Sequence, residues 1–285
     1  MTSKDISIVI TTYKSEEKIE SCLNSIDSKI RVIIIENSSN KKFKNDIENK
    51  FSNVECVLTN DNLGYGRANN IGLKKVTTRY SLILNPDTIL EKETIDNFFI
   101  FLKKNINFAI LGPLQNENSL ESETHNHHQS DYFEADSVKG FAMFLNMSKF
   151  SQIGFFDEKF FLYFEESDYC LRGFKKDKNY QLNKIKVNHY TGSSVSIKSI
   201  EEKNELQNLC TWHFIWSKFY YYKKHYSFIL ALIYFIPIIL RIRLRIIFYI
   251  LKKDKKNIDK YKIRWAGLIN SIMNKKSFKR LDSIK

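Results

Sequence analysis

The chain has 285 residues, 43% of them hydrophobic and 14% aromatic, which suits one large folded domain or a domain with an appendage. Its net charge of +13 is unevenly placed: residues 206–285 carry 18 basic and 3 acidic side chains, whereas the rest carry 27 basic and 29 acidic. A near-neutral front and a basic tail imply chemistry first and attachment to something anionic behind. Cys22, Cys56, Cys170 and Cys210 form no C-x-x-C pair. This excludes a zinc knuckle or disulfide framework and fits a reducing cytoplasm.

The first ten residues, MTSKDISIVI, lack a basic segment leading into a long apolar one, so no secretory signal is expected. Ile6–Ile10, Arg31–Ile35, Val54–Leu58 and Tyr80–Leu84 are short β-branched or apolar runs that read as buried strands. Helix-length patterns lie between them: one running through Ile26, then Phe43–Phe51 and Arg67–Val76. Strands alternating with helices at this spacing predict an α/β fold with a doubly wound, mostly parallel sheet and helices on both faces. Ligands of such sheets sit beyond the carboxyl ends of the strands. Thr12, Tyr13, Glu36, and Asn85-Pro86-Asp87 cluster there, so a single cleft is predicted.

The stretch Asn62-Leu63-Gly64-Tyr65-Gly66-Arg67-Ala68-Asn69-Asn70-Ile71-Gly72 follows a strand and opens a helix. A dinucleotide fingerprint is disfavoured, because its third glycine would fall at Asn69 and the motif follows the third strand. Two readings stay open, a turn before a helix and a glycine loop that lets backbone approach a nucleotide. Asp87 is placed to offer hard oxygen to Mg²⁺ or Mn²⁺. It competes with a plainer role as cap of a helix over Glu91–Lys104, with Thr88 as rival cap. Residues 121–131 (ESETHNHHQSD) read as a mobile loop over the cleft, and their His125, His127 and His128 as solvated rather than metal-bound.

A strand is expected over Lys139–Met143 and another near Tyr180–Val187. His189 follows, beginning a Gly/Ser turn, and is either structural or a second metal ligand. Between these strands, Phe160–Arg172 (FFLYFEESDYCLR) sets aromatic rings against Glu165, Glu166 and Asp168. Carboxylates beside apolar rings are partly desolvated, which raises their proton affinity and suits them to general-base work. Asp168 and Arg172 would lie one turn apart on a helix starting near Glu166. The competing reading is an acidic helix N-terminus matched to the macrodipole.

Three motifs, NLGYGRANNIG, LILNPDT and GFFDEKFFLYFEESDYCLR, in this order, resemble the inverting nucleotide-sugar glycosyltransferases of family 2, with the GT-A fold, over about residues 5–225. The bacterial rhamnosyltransferase-like branch looks most similar. By position, the resemblance implies that Thr12, Tyr13 and Glu36 hold the nucleotide base and ribose. Asp87 matches the last acid of the family's metal-binding D-x-D, His189 its later metal ligand, and Glu166 the catalytic base. Glu165 and Asp168 are the alternatives to Glu166. Asn62, Gly64, Arg67, Asn70 and Asn85 join the expected nucleotide-binding set, and Gly140, Asp157, Glu158 and Arg172 are expected to position donor and acceptor. Three residues depart from the family pattern: Glu36 stands for its usual Asp, Asn85 for the first Asp of D-x-D, and Glu166 for an Asp.

The tail opens with Leu206–His225, read as an aromatic amphipathic helix. Phe228–Leu240 has 13 uncharged residues, short of the roughly 20 that span a bilayer. Extension through Arg241–Leu251 adds Arg241, Arg243 and Arg245, each costing about 2.5–3.5 kcal/mol at the bilayer centre. Pro237 is expected to kink it. A helix lying in the interface is therefore expected, with the three arginines toward lipid phosphates and the lysines after Leu251 adding attraction to anionic lipid. A packed helical subdomain or a homodimer through the same apolar face are the competing expectations, and nucleic acid is excluded as a partner by the uninterrupted apolar run. The chain is thus expected to be a peripheral enzyme on the inner face of the cell membrane. Residues 1–205 form its catalytic domain and residues 206–285 its tail. It would transfer one sugar from a dTDP-rhamnose or UDP-sugar donor to a glycan or polyprenyl-linked acceptor. A nucleotidyltransferase, which would want a glycine-rich phosphate loop where TTYKSEE stands, and an inactive membrane adaptor of the same fold are the rival functions.

Overall fold

The strand order follows from which apolar runs have both faces covered. A computed structural model describes residues 2–114, 130–189, 195 and 199–280. The chain divides into two units, one of residues 1–156 and 166–196, the other of residues 157–165 and 197–285.

In the first unit, strands β1 (Ile6–Thr12), β2 (Arg31–Glu36), β3 (Val54–Leu58) and β4 (Tyr80–Leu84) alternate with helices α1 (Glu16–Asn24), α2 (Lys41–Lys50) and α3 (Tyr65–Lys74). After them come β5 (Thr88–Leu90), α4 (Thr94–Leu102), β6 (Ile110–Pro113), β7 (Tyr132–Glu134), β8 (Ala142–Asn146), α5 (Phe150–Ile153), α6 (Glu165–Phe174), β9 (Asn179–Leu182) and β10 (Val187–His189). The eight-stranded sheet runs β3-β2-β1-β4-β8-β6-β9-β7. Strands β1 to β4 are mutually parallel, as expected, whereas β8 lies antiparallel between β4 and β6, making the sheet mixed.

The alternation within each run sorts side chains to two cores. Ile6, Ile8, Ile10, Val32, Ile34, Leu82 and Leu84 face α1, α2 and α4. Val9, Ile83, Met143 and Leu145 face Leu73 of α3 and Tyr169 and Cys170 of α6, while Ile33 and Ile35 face Ala68. Strands covered on both sides favour apolar residues on both faces, which is why Ile8–Ile10 and Val32–Ile35 do not alternate with polar residues, while the small Ser7 is buried with them.

Several boundaries differ from the sequence reading. The strand expected over Lys139–Met143 begins at Ala142, and the one expected over Tyr180–Val187 splits into β9 and β10. Neither Asp87 nor Thr88 caps α4, whose N-cap is Glu93; Thr88 opens β5 instead. The loop carrying His125, His127 and His128 lies outside the described residues.

The second unit holds α7 (Ile200–Tyr226), α8 (Phe228–Leu251) and α9 (Lys255–Ile272), each packed on the other two. The boundary expected after residue 205 falls inside α7. That helix is no simple amphipath: Leu209, Trp212, Ile215, Trp216, Phe219 and Tyr220 are all buried, so it is the centre of a packed helical unit. Ile215, Phe219, Ala231, Phe235, Ile242 and Leu268 form its core. Helix α8 is assigned continuously through Pro237. Residues 157–165 join this unit through Phe160, which packs with Trp212, Trp216 and Tyr220.

Candidate active site

The carboxyl ends of β1, β2 and β4 lie side by side because Thr12 pairs with Glu36 and Ile10 with Leu84. Thr12 and Glu36 are buried there, and Tyr13 is half-buried. The Glu36 carboxylate organises the turn that follows it. Its Oε1 accepts the Ser38 N–H at 2.9 Å and the Ser38 hydroxyl, and its Oε2 accepts the Asn40 N–H at 2.7 Å.

Asn37, which sequence reasoning passed over, ties that turn to the glycine loop. Its Nδ2 donates to the Gly64 carbonyl at 3.2 Å, and its Oδ1 accepts the Thr59 hydroxyl at 3.1 Å and the Leu63 N–H at 3.3 Å. Asn62 closes the loop by accepting the Gly64 N–H at 3.1 Å. Gly64, at φ 79°, takes the left-handed conformation that a side chain disfavours and starts α3. Arg67 is exposed on α3, but Asn70 is buried, and both ends of its amide are taken by Phe156. Asn70, expected at the nucleotide, therefore anchors α3 to the segment before Asp157.

Asp87 and His189 meet through a register invisible to local pattern. Antiparallel pairing of β10 with β5 sets His189 opposite Thr88, bringing His189 Nε2 to 3.5 Å from Asp87 Oδ1. The imidazole is stacked on Phe141 at 4.5 Å, which fixes its plane. Among the described residues no group of three or more His, Cys, Asp and Glu side chains could hold a metal. Two donors are still a fitting set, since Mg²⁺ and Mn²⁺ usually take one or two carboxylates and leave the other positions to phosphates and water. Ligands about 2.1 Å from one ion and at right angles lie about 3 Å apart, close to the Asp87–His189 spacing.

Residues 139–141 link that pair to Glu166. The Asn85 N–H donates to the Phe141 carbonyl at 2.9 Å, while Phe141 carries His189 on its ring. On the other side, a Cβ added at Gly140 would lie 3.5 Å from Glu166 Cβ and 3.3 Å from the Tyr65 hydroxyl. Tyr65 donates that hydroxyl to the Gly140 carbonyl, a contact that sequence reasoning missed although Tyr65 stands inside the glycine motif. Burial pushes the Glu166 carboxyl above its ordinary range, against the pull of local hydrogen bonds, including Ser167's, and of the Lys139 ammonium. A carboxylate raised in this way binds a proton more tightly than a solvated one, the property general-base work draws on.

The neighbouring acids do other work. Asp168 is fully buried and accepts from Arg172 Nε at 3.0 Å, the expected one-turn pair. Arg172 also donates to the carbonyls of Ile153 and Phe155, so the pair holds the segment before Asp157 rather than a substrate. Glu165 is buried and Glu158 exposed. Within the helical unit, Asp157 accepts from the Tyr220 hydroxyl at 2.9 Å and from Lys224 Nζ at 2.8 Å. Burial raises the Asp157 pKa, but Lys224 and the other donors outweigh it and hold the group below the usual carboxylate range.

The residues just before α6 are strained. Tyr163 and Phe164 both have φ 68°, a left-handed conformation costing about 1–3 kcal/mol for a non-glycine residue. Phe214 lies edge-on to Tyr163 at 5.6 Å, Tyr221 packs on Phe164 at 5.5 Å, and Ser217 donates to the Leu162 carbonyl at 2.8 Å. These contacts over-determine the turn at Tyr163 and Phe164.

A family model described as glycosyl transferase family 2 matches residues 7–172. The low-salt glycan biosynthesis hexosyltransferase Agl10 of Haloferax volcanii is 25% identical over 197 residues, 61% of this chain and 63% of that protein. The teichoic acid poly(glycerol phosphate) polymerase of Staphylococcus epidermidis is 29% identical over 117 residues, 38% of this chain and 16% of that protein. The match thus spans less than two thirds of either relative's length. Among solved structures, the mannosyltransferase PcManGT from Pyrobaculum calidifontis, in complex with GDP-Man and Mn²⁺, has a TM-score of 0.56 at 10% identity, covering 95% of this chain and 88% of that one. S. aureus TarS 1-349 in complex with UDP has a TM-score of 0.51 at 16% identity, covering 72% and 64%. At these identities the likeness is one of fold.

Proposed function

This chain belongs to glycosyltransferase family 2, and from that premise we propose that it moves a single sugar, with inversion, from a nucleotide-diphosphate sugar to a hydroxyl of a lipid-linked or cell-surface glycan. The donor is a dTDP-rhamnose or a UDP-sugar. The observation that carries the reading is that Glu166 and the Asp87–His189 pair both border residues 140–141, although they are remote in sequence. The relatives' names, a hexosyltransferase and a teichoic acid polymerase, support a glycan or polymer acceptor.

In this mechanism Glu166 takes the proton of the acceptor hydroxyl. The freed oxygen attacks the anomeric carbon from the face opposite the diphosphate, and the bond from that carbon to the diphosphate oxygen breaks. Asp87 and His189 would hold Mg²⁺ or Mn²⁺, which when bound supplies charge neutralisation on the leaving diphosphate. The turn organised by Glu36 and the loop bolted by Asn37 shape the nucleotide side of the cleft, and the fixed geometry supplies much of the rate by holding donor and acceptor in line. We read the basic tail as the attachment to the inner face of a membrane, a reading supported by its net charge of +15 over residues 206–285; among the described residues no helix is long and apolar enough to cross one.

The test is Glu166→Gln assayed with dTDP- and UDP-sugars in the presence of Mn²⁺. Donor binding by calorimetry should persist while transfer falls by about 10²–10⁴-fold, the size of a lost general base. In the wild type, activity should fall with decreasing pH at values above the ordinary glutamate range, since burial raises the Glu166 pKa and the base must be deprotonated. A fully active Glu166→Gln variant overturns the assignment.

A further inference from the structure

Helix α8 is apolar on two opposite sides, and packing explains only one. Ala231, Phe235 and Ile242 are buried against the helical unit, with Ile238, Ile239 and Ile246 beside them. On the other side Ile229, Ile233, Ile236, Leu240, Leu244 and Ile247 recur at steps of four and three residues and are 52–69% exposed. Single exposed leucines are ordinary, but an unbroken stripe about 27 Å long is the mark of a surface meant to be covered.

Charge decides what covers it. Arg241 and Arg245 each follow a stripe residue by one position, so they stand about 100° around the helix and line one edge, with Lys252 about two turns beyond Arg245. Arg243, expected to face lipid with them, instead lies over the Trp265 ring at 4.3 Å and stays on the protein. A second copy seated on the stripe would bring two tails of net +15 together, whereas an anionic surface is complementary to them. Among the described residues no helix is long and apolar enough to cross a membrane, and in α8, although it has 24 residues, Arg241, Arg243 and Arg245 interrupt the apolar run.

We propose that this stripe is the membrane-inserting surface. The α8 axis lies parallel to an anionic bilayer, Ile233, Ile236, Leu240 and Leu244 enter the acyl boundary, and Arg241, Arg245 and Lys252 engage headgroup phosphates. The assignment rests on the membrane reading above and adds to it which side chains of α8 enter the bilayer and which cations border them, with Arg243 left on the protein.

The experiment is flotation of the full chain with phosphatidylcholine vesicles, with and without phosphatidylglycerol as about three lipids in ten. The wild type should float with the anionic vesicles only, less so as salt rises. The variant Ile233→Ser/Ile236→Ser/Leu240→Ser/Leu244→Ser alters side chains that are already exposed, so it should keep its fold and cease to float. Arg241→Gln/Arg245→Gln/Lys252→Gln should weaken binding on the order of 100-fold, from three lost headgroup attractions. A dye on Leu240→Cys in a Cys210→Ser background should shift to the blue on vesicle addition, and one on Lys262→Cys should not, which reads insertion without the serine variant. Wild type that floats while the serine variant floats equally overturns the stripe and spares the membrane reading. Wild type that floats with no vesicle overturns both, and a dimer that the serine variant dissociates assigns the stripe to a second copy instead.

Discussion

Substitution of Asn70 separates a structural role from a nucleotide contact. Asn70 is 1% exposed; its Nδ2 donates to the Phe156 carbonyl at 3.0 Å and its Oδ1 accepts the Phe156 N–H at 2.9 Å. Asn70→Ala removes both bonds and strands a buried carbonyl and a buried N–H. Each stranded group costs about 1–3 kcal/mol, so the sheet unit should lose about 3 kcal/mol. Asn70→Asp keeps the acceptor but sets a carboxylate oxygen against the Phe156 carbonyl, and should be as damaging. The assay is urea unfolding followed by far-UV circular dichroism. Tryptophan fluorescence serves as an internal control, because all three tryptophans, Trp212, Trp216 and Trp265, lie in the helical unit. Donor affinity, measured by calorimetry where the variant is folded, should match wild type. A variant within about 0.5 kcal/mol of wild-type stability that no longer binds donor would refute the reasoning and return Asn70 to the nucleotide.

Three further outcomes are expected. Asp87→Ala should abolish the Mn²⁺-dependent part of the thermal stabilisation given by nucleoside diphosphates, and an unchanged Mn²⁺ dependence would remove Asp87 from the metal site. His213 is buried, with Nε2 donating to the Lys279 carbonyl at 2.8 Å and Nδ1 accepting from Ser277 at 2.9 Å, and burial drives its pKa down to about 4. The unfolded chain therefore binds the extra proton first. Stability present above about pH 6.5 should be lost as pH falls toward 4, by up to about 3 kcal/mol, and fluorescence-monitored melts of His213→Gln should lack that slope. Finally, a Cβ at Gly267 would lie 2.6 Å from the Trp212 carbonyl oxygen and 2.8 Å from Ile215 Cγ2. Gly267→Ala must therefore push α9 off α7 and should destabilise the helical unit by about 1–3 kcal/mol in the same fluorescence melts.

What the sequence disclosed was set by how local each signal is. ISIVI, RVIII and YSLIL are self-evident strands because burial on both faces favours runs of apolar side chains interrupted only by a small serine or a terminal arginine. The Asp168–Arg172 pair was also legible, as it depends on neighbours within one turn. Register and sheet insertion were not. Nothing within a few residues of Ala142–Asn146 says that β8 runs antiparallel between β4 and β6, and His189 meets Asp87 only because β10 pairs with β5. Asn37, Tyr65 and Phe141 were missed for a related reason: each acts through a partner at least 22 residues away. The same blindness hid the Asn70 bonds to Phe156 and the contact of Arg243 with Trp265.

The assignment of residues 157–165 to the helical unit has a consequence for how the protein is made. A nascent chain that has emerged as far as residue 196 already exposes Phe160 and Phe161, yet Trp212, Trp216 and Tyr220, which cover Phe160, have still to emerge. Until they arrive, a greasy loop hangs from an otherwise closable sheet, an inviting target for chaperones and for aggregation. Shortening the gene after the last strand would leave that loop permanently uncovered, so the minimal folding unit of this transferase is longer than its family match.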